Sequence, residues 1–304
     1  MGLSHGQLKQ FDIDGYLVVK NVLKNSDLYS VINEYETHIN QRAKEFLEDG
    51  RITDLFADAP FEKRLALIND QCTEIYSDLD IFQLRGKATF AFLRNERLID
   101  LVESLVGPEI ICSPIQHIRC KLPYGKTRLG GDTHTPPWHQ DAGVTLEAAD
   151  PHFILTVWLP LVSTTSENGC LQIIPGQHKS GLLQHQTVSG LGTVILEELM
   201  PNEEPLVLPM EKGDVLLMHK GTPHRSSPNF TDSIRWSMDM RYQKKGTPTG
   251  RSIYPEFVVR SRSCPESVLT DHHIWSKMWE EALASEVSKG NAHHRWEVTK
   301  HHHW

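Results

Sequence analysis

The sequence predicts a protein made mainly of β-strands with flanking helices, on three observations. Residues 1–108 carry one early strand and then apolar side chains at helical spacing. Residues 109–243 alternate short apolar runs with turns, and residues 244–304 return to a helix. Many short strands between glycine- and proline-containing turns are typical of an antiparallel sandwich or barrel. Since no obvious linker or repeat divides the 304 residues, we expect one domain, residues 1–304.

The first predicted elements are one strand and one long helix. The run GYLVVKNVL, from Gly15, is rich in β-branched side chains, which predicts a strand. Apolar residues then recur at spacings of three, four and seven behind a cap at Asn25 or Ser26, which predicts a helix with one packing face. That face comprises Leu28, Val31, Ile32, Tyr35, Ile39, Phe46 and Leu47.

Two further helices are predicted on either side of the central strands. One runs from about Lys87 to Leu105 and ends at the Gly-Pro pair of residues 107–108, a natural stop. The other runs roughly from His273 to Val287. Its two tryptophans, Trp275 and Trp279, are spaced as one helix face, for which core packing is the simplest role.

The central strands are bounded by the turn signals ENG, PG and KGD. We therefore expect residues 109–243 to form the β core and residues 244–304 to form a C-terminal extension. The runs that predict strands are EIICSPIQHIRCKL, FILTVWLPLV, GCLQIIPG, EPLVLPM, GDVLLMH and SIRWSMDMRYQ.

Composition narrows the class of function. The formal net charge is −8, from 31 Lys and Arg against 39 Asp and Glu, so a basic surface for nucleic acid is not expected and a small molecule is the better partner. The N-terminus lacks the pattern of a secretory signal, and the apolar runs are too short to span a membrane. Five scattered cysteines without C-x-x-C spacing favour a reducing, cytoplasmic location.

Candidate metal ligands lie in two separate segments. In TPPWHQDAG, His139 and Asp141 are two positions apart, so on a strand they would project from the same face. Alone, this pair is a weak signal in a histidine-rich chain. In a second segment, a strand ends near His219 and His224 follows a turn. Two histidines and one aspartate form the facial triad of non-haem iron(II) oxygenases, whereas a closed zinc site would require a fourth ligand, usually a thiolate.

A positively charged candidate, Arg235, follows His224 by eleven residues. Its planar guanidinium suits bidentate capture of a carboxylate. Alternation places Arg235 and Arg241 on the same face of a strand, and for Arg241 we expect a solvated position. We expect His219 to pack as a core histidine. His117 and His134 lie near the site in sequence. For both, contact with substrate and exposure to solvent stay open.

These segments together resemble the phytanoyl-CoA dioxygenase family, a branch of the iron(II)- and 2-oxoglutarate-dependent oxygenases. The matching motifs span about residues 8–243. They are FDIDGYLVVKNVL, WHQDAG, ENGCLQIIPGQHKSG, GDVLLMHKGTPHRSSPN and IRWSMDMRY. The resemblance implies a double-stranded β-helix core, also called a jelly-roll or cupin-like fold.

The resemblance also implies a role for each matching residue. It implies that His139, Asp141 and His224 bind Fe(2+), and that Arg235 and Ser226 contact the distal carboxylate of 2-oxoglutarate. Trp158 would line the cosubstrate pocket, and Gln116 would face 2-oxoglutarate from its strand. Lys121 is a weaker candidate, because a slip of one residue in strand register would reverse its face.

The activity implied is oxidation, most simply hydroxylation, of a small-molecule substrate by a monomer or homodimer. 2-Oxoglutarate and O2 would be cosubstrates, giving succinate and CO2. Asp141 occupies the place where related halogenases carry a small residue, so halogenation is not expected, whereas desaturation, ring closure and epoxidation stay open. Two other hypotheses are a cupin-like zinc or manganese hydrolase or isomerase, and a non-catalytic binding protein of the same fold.

Overall fold

A computed structural model of the protein describes residues 2–126, 135–289, 295–296 and 298–299. Within these ranges the α-helices are α1 His5–Asp14, α2 Asn25–Glu48, α3 Phe61–Gln71, α4 Lys87–Phe92, α5 Glu96–Val106 and α6 His272–Lys289. None of the helices in this part of the chain combines the length and apolarity needed to cross a membrane.

The strands are short, apart from two long ones that run through the centre of the larger sheet. They are β1 Tyr16–Val19, β2 Glu109–Lys121, β3 Ile154–Pro160, β4 Leu171–Ile173, β5 His185–Val188, β6 Gly192–Ile195, β7 Leu206–Leu208, β8 Val215–His219, β9 His224–Ser226, β10 Arg235–Lys244, β11 Phe257–Ser261 and β12 Val298–Thr299.

Six strands form the larger sheet, in the order β1-β8-β3-β10-β2-β11. Every neighbouring pair in it is antiparallel. A smaller antiparallel sheet has the order β7-β4-β9, and β12, β5 and β6 form a third sheet in which β12 runs parallel to β5. This arrangement confirms the predicted mainly β architecture.

Two apolar cores cover the two faces of the larger sheet. The larger core joins one face of the sheet to the helices, through residues such as Leu28 and Trp275. The smaller core joins the opposite face to the sheet β7-β4-β9, and it comprises Trp158, Leu171, Ile173, Leu208, Met210, Leu216 and Met218. One face of each central strand packs in the larger core. Because side chains alternate along a strand, the polar residues between the core residues point into the space between the two sheets.

The helical segments differ from the prediction at their ends. The long helix begins at Asn25, and its N-cap is Lys24 rather than Asn25 or Ser26, because the backbone N–H of Lys24 donates to Asp27 at 2.8 Å. The helix expected from Lys87 to Leu105 is two helices. The side chain of Asn95 accepts hydrogen bonds from two backbone N–H groups of the next turn, so a new helix starts there.

Strands outside residues 109–243 belong to the same sheet as the expected core. At one edge, β1 pairs with β8, and at the other edge, β11 pairs with β2. The prediction missed β5, β6, β9, β11 and β12, all of which are at most five residues long. The predicted C-terminal helix is confirmed as α6, and both of its tryptophans are buried in the larger core, as expected.

Candidate metal centre and cosubstrate cavity

A cavity of about 430 Å³ lies between the larger sheet and the sheet β7-β4-β9. Two polar clusters line it, one near Arg241 and the other near Arg235, both of which lie on β10. The first, which we call the triad cluster, is His139, Asp141 and His224 beside Arg241. The second, which we call the cationic cluster, is Lys121, Ser226 and Arg235. Arg241 lies six positions after Arg235 along β10, a distance of roughly 20 Å along the backbone.

The triad cluster is assembled by a β-bridge and a turn. His139 and His224 form a bridge through reciprocal backbone hydrogen bonds of 3.1 and 2.9 Å, which places their rings 4.3 Å apart. Asp141 lies in a 3-10 turn, Asp141–Val144, so the expectation that it shares a strand face with His139 is wrong. One ligand atom from each of the three residues nevertheless lies within 4.8 Å of the others.

Backbone carbonyls fix the orientation of both imidazoles. Nδ1 of His139 lies 2.8 Å from the carbonyl of Pro137, and Nδ1 of His224 lies 3.0 Å from that of Thr222. Because a carbonyl only accepts, each Nδ1 carries a proton, and a neutral ring then keeps a lone pair on Nε2. Burial, followed by the neighbouring His224, lowers the pKa of His139 to about 3, which keeps that ring neutral. Neutral imidazoles held in this way are suitable metal ligands.

Asp141 is ionised and held from two sides. Burial by itself would raise its pKa, but Arg241, His224 and His139 together lower the pKa well below its usual range. One carboxylate oxygen accepts from Arg241 and the other from the hydroxyl of Thr156. Two imidazoles and one carboxylate, with no thiolate among them, are a donor set that suits non-haem iron(II).

The solvated position expected for Arg241 is wrong. Its side chain is buried and pairs with both Asp141 and Asp239. The alternation of β10 is as predicted, with Trp236, Met238 and Met240 in the larger core. The polar face, however, is covered by the turn that carries Asp141, so it faces the cavity instead of solvent.

The cationic cluster is built by a cross-strand pair. Arg235 on β10 lies directly opposite Lys121 on β2, and both are buried. Nζ of Lys121 donates to Oγ of Ser226 at 2.9 Å. The guanidinium of Arg235 lies 5.5 Å from the ring centre of Trp158, and burial lowers its pKa to about 10, so it stays charged at neutral pH. Two neighbouring cations and a hydroxyl are suited to binding a carboxylate.

Gln116 does not line this cavity, contrary to the prediction. It lies opposite Met240, whose side chain belongs to the larger core, and paired residues of a sheet share a face. Among the described residues, neither amide atom of Gln116 has a hydrogen-bond partner. Lys121 is five positions further along β2, on the opposite face, so only one of the two residues can face 2-oxoglutarate.

The remaining predicted residues divide between the cavity and its surroundings. Trp158, Ser226 and His117 line the cavity, and Nδ1 of His117 lies 2.8 Å from a carboxylate oxygen of Asp80. His219 is absent from the cavity lining and accepts a hydrogen bond from Gly221, consistent with the packing role expected. His134 lies outside the described residues.

Two residues of the site were missed by the sequence reasoning. Thr156 precedes Trp158 by two positions on β3, so the alternation of that strand was a signal that Thr156 lies on the same face as Trp158, where its hydroxyl reaches Asp141. Arg251 lies in the connection after β10 and reaches the cavity from there. No periodic pattern marks a residue in such a connection.

A family model described as phytanoyl-CoA dioxygenase (PhyH) matches residues 11–237, which include His139, Asp141, His224 and the whole cationic cluster, whereas Arg241 lies just beyond the match. The peroxisomal phytanoyl-CoA dioxygenase of Homo sapiens is 26% identical over 245 residues, covering 78% of this chain and 67% of that relative. The 1-deoxypentalenic acid 11-beta-hydroxylase of Streptomyces arenae is 35% identical over 147 residues, covering 44% of this chain and 50% of that relative.

Solved structures with the same fold include oxygenases. The apo form of the non-heme monooxygenase ThoJ aligns with a TM-score of 0.61 at 18% identity, covering 92% of this chain and 98% of that one. EctD from S. alaskensis, solved with 2-oxoglutarate and 5-hydroxyectoine, aligns with a TM-score of 0.53 at 22% identity, covering 81% of this chain and 77% of that one. These similarities confirm the predicted jelly-roll fold.

Proposed function

Because the chain belongs to the phytanoyl-CoA dioxygenase family, we propose that its cavity binds iron(II) at the triad cluster and 2-oxoglutarate between that cluster and the cationic cluster. The enzyme class is that of a non-haem iron(II)- and 2-oxoglutarate-dependent dioxygenase acting on a small molecule. The observation that carries the assignment of residues is the presence of both clusters in one cavity.

His139, Asp141 and His224 would hold the metal. When bound there, iron(II) supplies open coordination positions for 2-oxoglutarate and O2, and it couples the conversion of 2-oxoglutarate into succinate and CO2 to oxidation of the substrate. The contribution of the protein is orientation. The carbonyls of Pro137 and Thr222 aim the imidazoles, and Arg241 with Thr156 holds the carboxylate.

The cationic cluster would bind the distal carboxylate of 2-oxoglutarate. Arg235 offers a planar pair of donors, Lys121 a second positive charge, and Ser226 a hydroxyl already oriented by Lys121. Trp158 closes one side of this end with its ring. A hydrolase or isomerase would require only the triad cluster, so the two neighbouring cations favour the oxygenase.

Hydroxylation is the outcome that we propose for the substrate. The carboxylate of Asp141 occupies the third ligand position, so no place is left there for a halide. Arg241 fixes that carboxylate and keeps it ionised. A substrate that approaches the metal therefore meets a centre with a complete set of three protein ligands.

The location and the assembly are proposed from composition and from the state of the cysteines. The described cysteines are all unpaired, which supports a reducing, cytoplasmic compartment. The net charge of −8 supports a small-molecule partner rather than nucleic acid, and the short apolar runs support a protein that is not embedded in a membrane. We propose a monomer or a homodimer.

Anaerobic addition of Fe(II) and 2-oxoglutarate tests the assignment. A visible metal-to-ligand charge-transfer band is expected when both bind at one centre, and admission of O2 should then produce succinate. Zinc in place of Fe(II) is the control, because it fills the same ligands without giving the band. Absence of both the band and succinate would overturn the oxygenase assignment.

A further inference from the structure

A second cavity of about 310 Å³ adjoins the first. The two cavities share four lining residues, Val144, Gly192, Thr193 and Arg251, so they lie directly beside each other. Together they extend from the triad cluster to α6, which contributes Glu286. Volumes of roughly 300–1,000 Å³ suit a small-molecule ligand.

Arg251 lies at the junction of the two cavities, and no residue that the structure describes forms an ion pair with it. Its side chain is half-buried, and among the described residues none forms an ion pair or a hydrogen bond with its guanidinium. Glu286 lines the second cavity as well and favours the charged form of Arg251, but its carboxylate forms no ion pair with Arg251 among the described residues. A guanidinium in a cavity therefore has its donors available for a ligand.

The other arginines around the cavities are engaged. Arg241 pairs with two carboxylates, and Arg225 donates to Gln172 while lying 4.8 Å from the ring centre of Trp138. At the cavity rim, Arg119 lies 3.7 Å from a carboxylate oxygen of Asp80. Arg235 is assigned to 2-oxoglutarate under the proposed function. Arg295, in the second cavity, pairs with Asp150. Among these arginines, Arg251 is the one whose guanidinium has no described side-chain partner.

The backbone that carries Arg251 is fixed in place. The preceding Gly250 has φ +71°, and a Cβ there would lie 2.7 Å from Cβ of Thr145. Its carbonyl accepts a hydrogen bond from Leu146 at 3.2 Å. The amide of Gln243 donates to the carbonyls of Thr247 and Pro248, at 3.0 Å each. Arg251 is therefore held against the segment that carries Asp141, as a preorganised binding residue would be.

The rest of the second cavity is lined by apolar and polar side chains together, the polar ones being Thr145, Thr187, Thr193, Ser252, Glu286 and Arg295. Its lining includes Leu146, Ile253, Tyr254 and Trp296. The indole N–H of Trp296 donates to the carbonyl of Gly143 at 2.6 Å, so the ring is fixed beside the turn that carries Asp141. A ligand that fits both features has an apolar skeleton and one anionic group.

We propose that the substrate is a small carboxylic acid with a mainly apolar carbon skeleton, whose carboxylate binds Arg251. The skeleton would lie along the two adjoining cavities and reach the triad cluster from the side of Val144. The proposal rests on the proposed function, because it places the substrate of that enzyme in relation to its metal centre. A neutral ester or amide of the same skeleton would lose the ion pair and bind more weakly.

Binding of 4-cyclohexylbutanoic acid and of its neutral amide, 4-cyclohexylbutanamide, tests the proposal. Anaerobic calorimetry with Fe(II) and 2-oxoglutarate present should show the acid binding roughly tenfold or more tightly, the size expected for charge-assisted hydrogen bonds. In Arg251→Gln the acid and the amide should bind about equally, because the charge-assisted contact is lost. Arg251→Lys keeps the charge and should retain part of the preference for the acid. Arg262→Gln, which changes a surface arginine paired with Glu103, is the control and should keep the full preference.

Three outcomes would overturn the proposal: equal binding of acid and amide, no binding of either, or an undiminished preference in Arg251→Gln. The same variants are tested for the charge-transfer band, which Arg251→Gln should retain. If Arg251→Gln instead raises the 2-oxoglutarate concentration needed for the band, Arg251 belongs to the cosubstrate site, and only this proposal fails. If the unmodified protein gives no band, the proposed function itself fails, and repeating the acid–amide comparison without metal still tests Arg251.

Discussion

At the scale of single residues, the site depends on how charged groups are paired inside the cavity. Arg241 illustrates this, because its buried guanidinium bridges Asp141 and Asp239 and raises its own pKa in doing so. A buried charge is tolerable only when it is paired and hydrogen-bonded. The pairing therefore serves two purposes: it stabilises Arg241, and it holds the Asp141 carboxylate in one orientation beside the two histidines.

Substitution of Asp141 should remove activity. Asp141→Ala deletes the only carboxylate of the triad cluster, so we expect no iron-dependent succinate formation, measured under O2 with Fe(II) and 2-oxoglutarate. Asp239→Ala deletes the other carboxylate that pairs with Arg241 but contributes no ligand atom to the triad cluster. It serves as the matched control and should retain turnover. Full activity of Asp141→Ala would contradict the ligand assignment.

Substitution of Arg235 should act on the cosubstrate. Arg235→Ala removes a charge-assisted contact of about 1.5–3 kcal/mol, so the 2-oxoglutarate concentration for half-maximal rate should rise roughly ten- to a hundredfold. Titration of succinate formation against 2-oxoglutarate measures this. Arg235→Lys keeps the charge, so its 2-oxoglutarate requirement should lie between those of the unmodified protein and Arg235→Ala. An unchanged 2-oxoglutarate requirement in both variants would show that the carboxylate binds elsewhere.

At the scale of elements, the pairing of β2 with β10 decides which side chains reach the cavity. The register shifts by two residues between Cys112 and Gln116 on β2, while β10 runs on from Met240 to Tyr242. Because two residues is the repeat of a strand, the shift leaves the faces unchanged: Cys112 and Ile118 pack in the larger core, whereas His117 and Lys121 line the cavity. Pro114 lies inside the shifted segment and is a local sign of the irregularity, because a proline within a paired strand favours a bulge.

Two substitutions on β2 test this register. Gln116→Met replaces a buried amide that lacks described partners, so stability should be unchanged or rise by about 1 kcal/mol, and 2-oxoglutarate binding should be unaffected. Lys121→Met, the matched change on the opposite face, should weaken 2-oxoglutarate binding. Urea unfolding and the charge-transfer titration measure the two effects. The reverse result, with Gln116→Met impairing 2-oxoglutarate binding, would mean that the register is wrong.

At the scale of the whole molecule, distant segments converge on the turn that carries Asp141. Arg295, near the end of the described chain, pairs with Asp150 and donates to the carbonyls of Ala142 and Thr145. From the centre of the chain, Nε2 of His185 accepts a hydrogen bond from the backbone N–H of Gln140 at 3.1 Å. The ligand turn is therefore stabilised by tertiary contacts rather than by its own hydrogen bonds alone.

Protonation of His185 should destabilise the fold. Burial lowers the pKa of His185 to about 4, whereas in the unfolded chain its pKa is near 6.5. The unfolded state thus binds the proton first, so the stability due to neutral His185 is present above pH 6.5 and declines as the pH falls toward 4. The free energy of unfolding, measured by urea at several pH values, should decline over this window.

His185→Gln should show a shallower decline, whereas the exposed-site control His273→Gln should match the unmodified protein. Equal slopes in all three proteins would contradict this account.

The sequence by itself determined the β core, the helical flank and the candidate ligands His139, Asp141 and His224 with Arg235. The periodicity of apolar residues predicts which face of a helix or strand is buried. The spacing of histidine, aspartate and arginine in motifs predicts the candidate ligands. Tertiary structure decided the rest. Whether Arg241 meets solvent or Asp141, and whether Gln116 or Lys121 faces the cavity, depends on what covers a strand and on its register. The position of Arg251 depends on how a connection folds back onto the ligand turn. These are contacts between segments far apart in the chain, and no local pattern of residues encodes them.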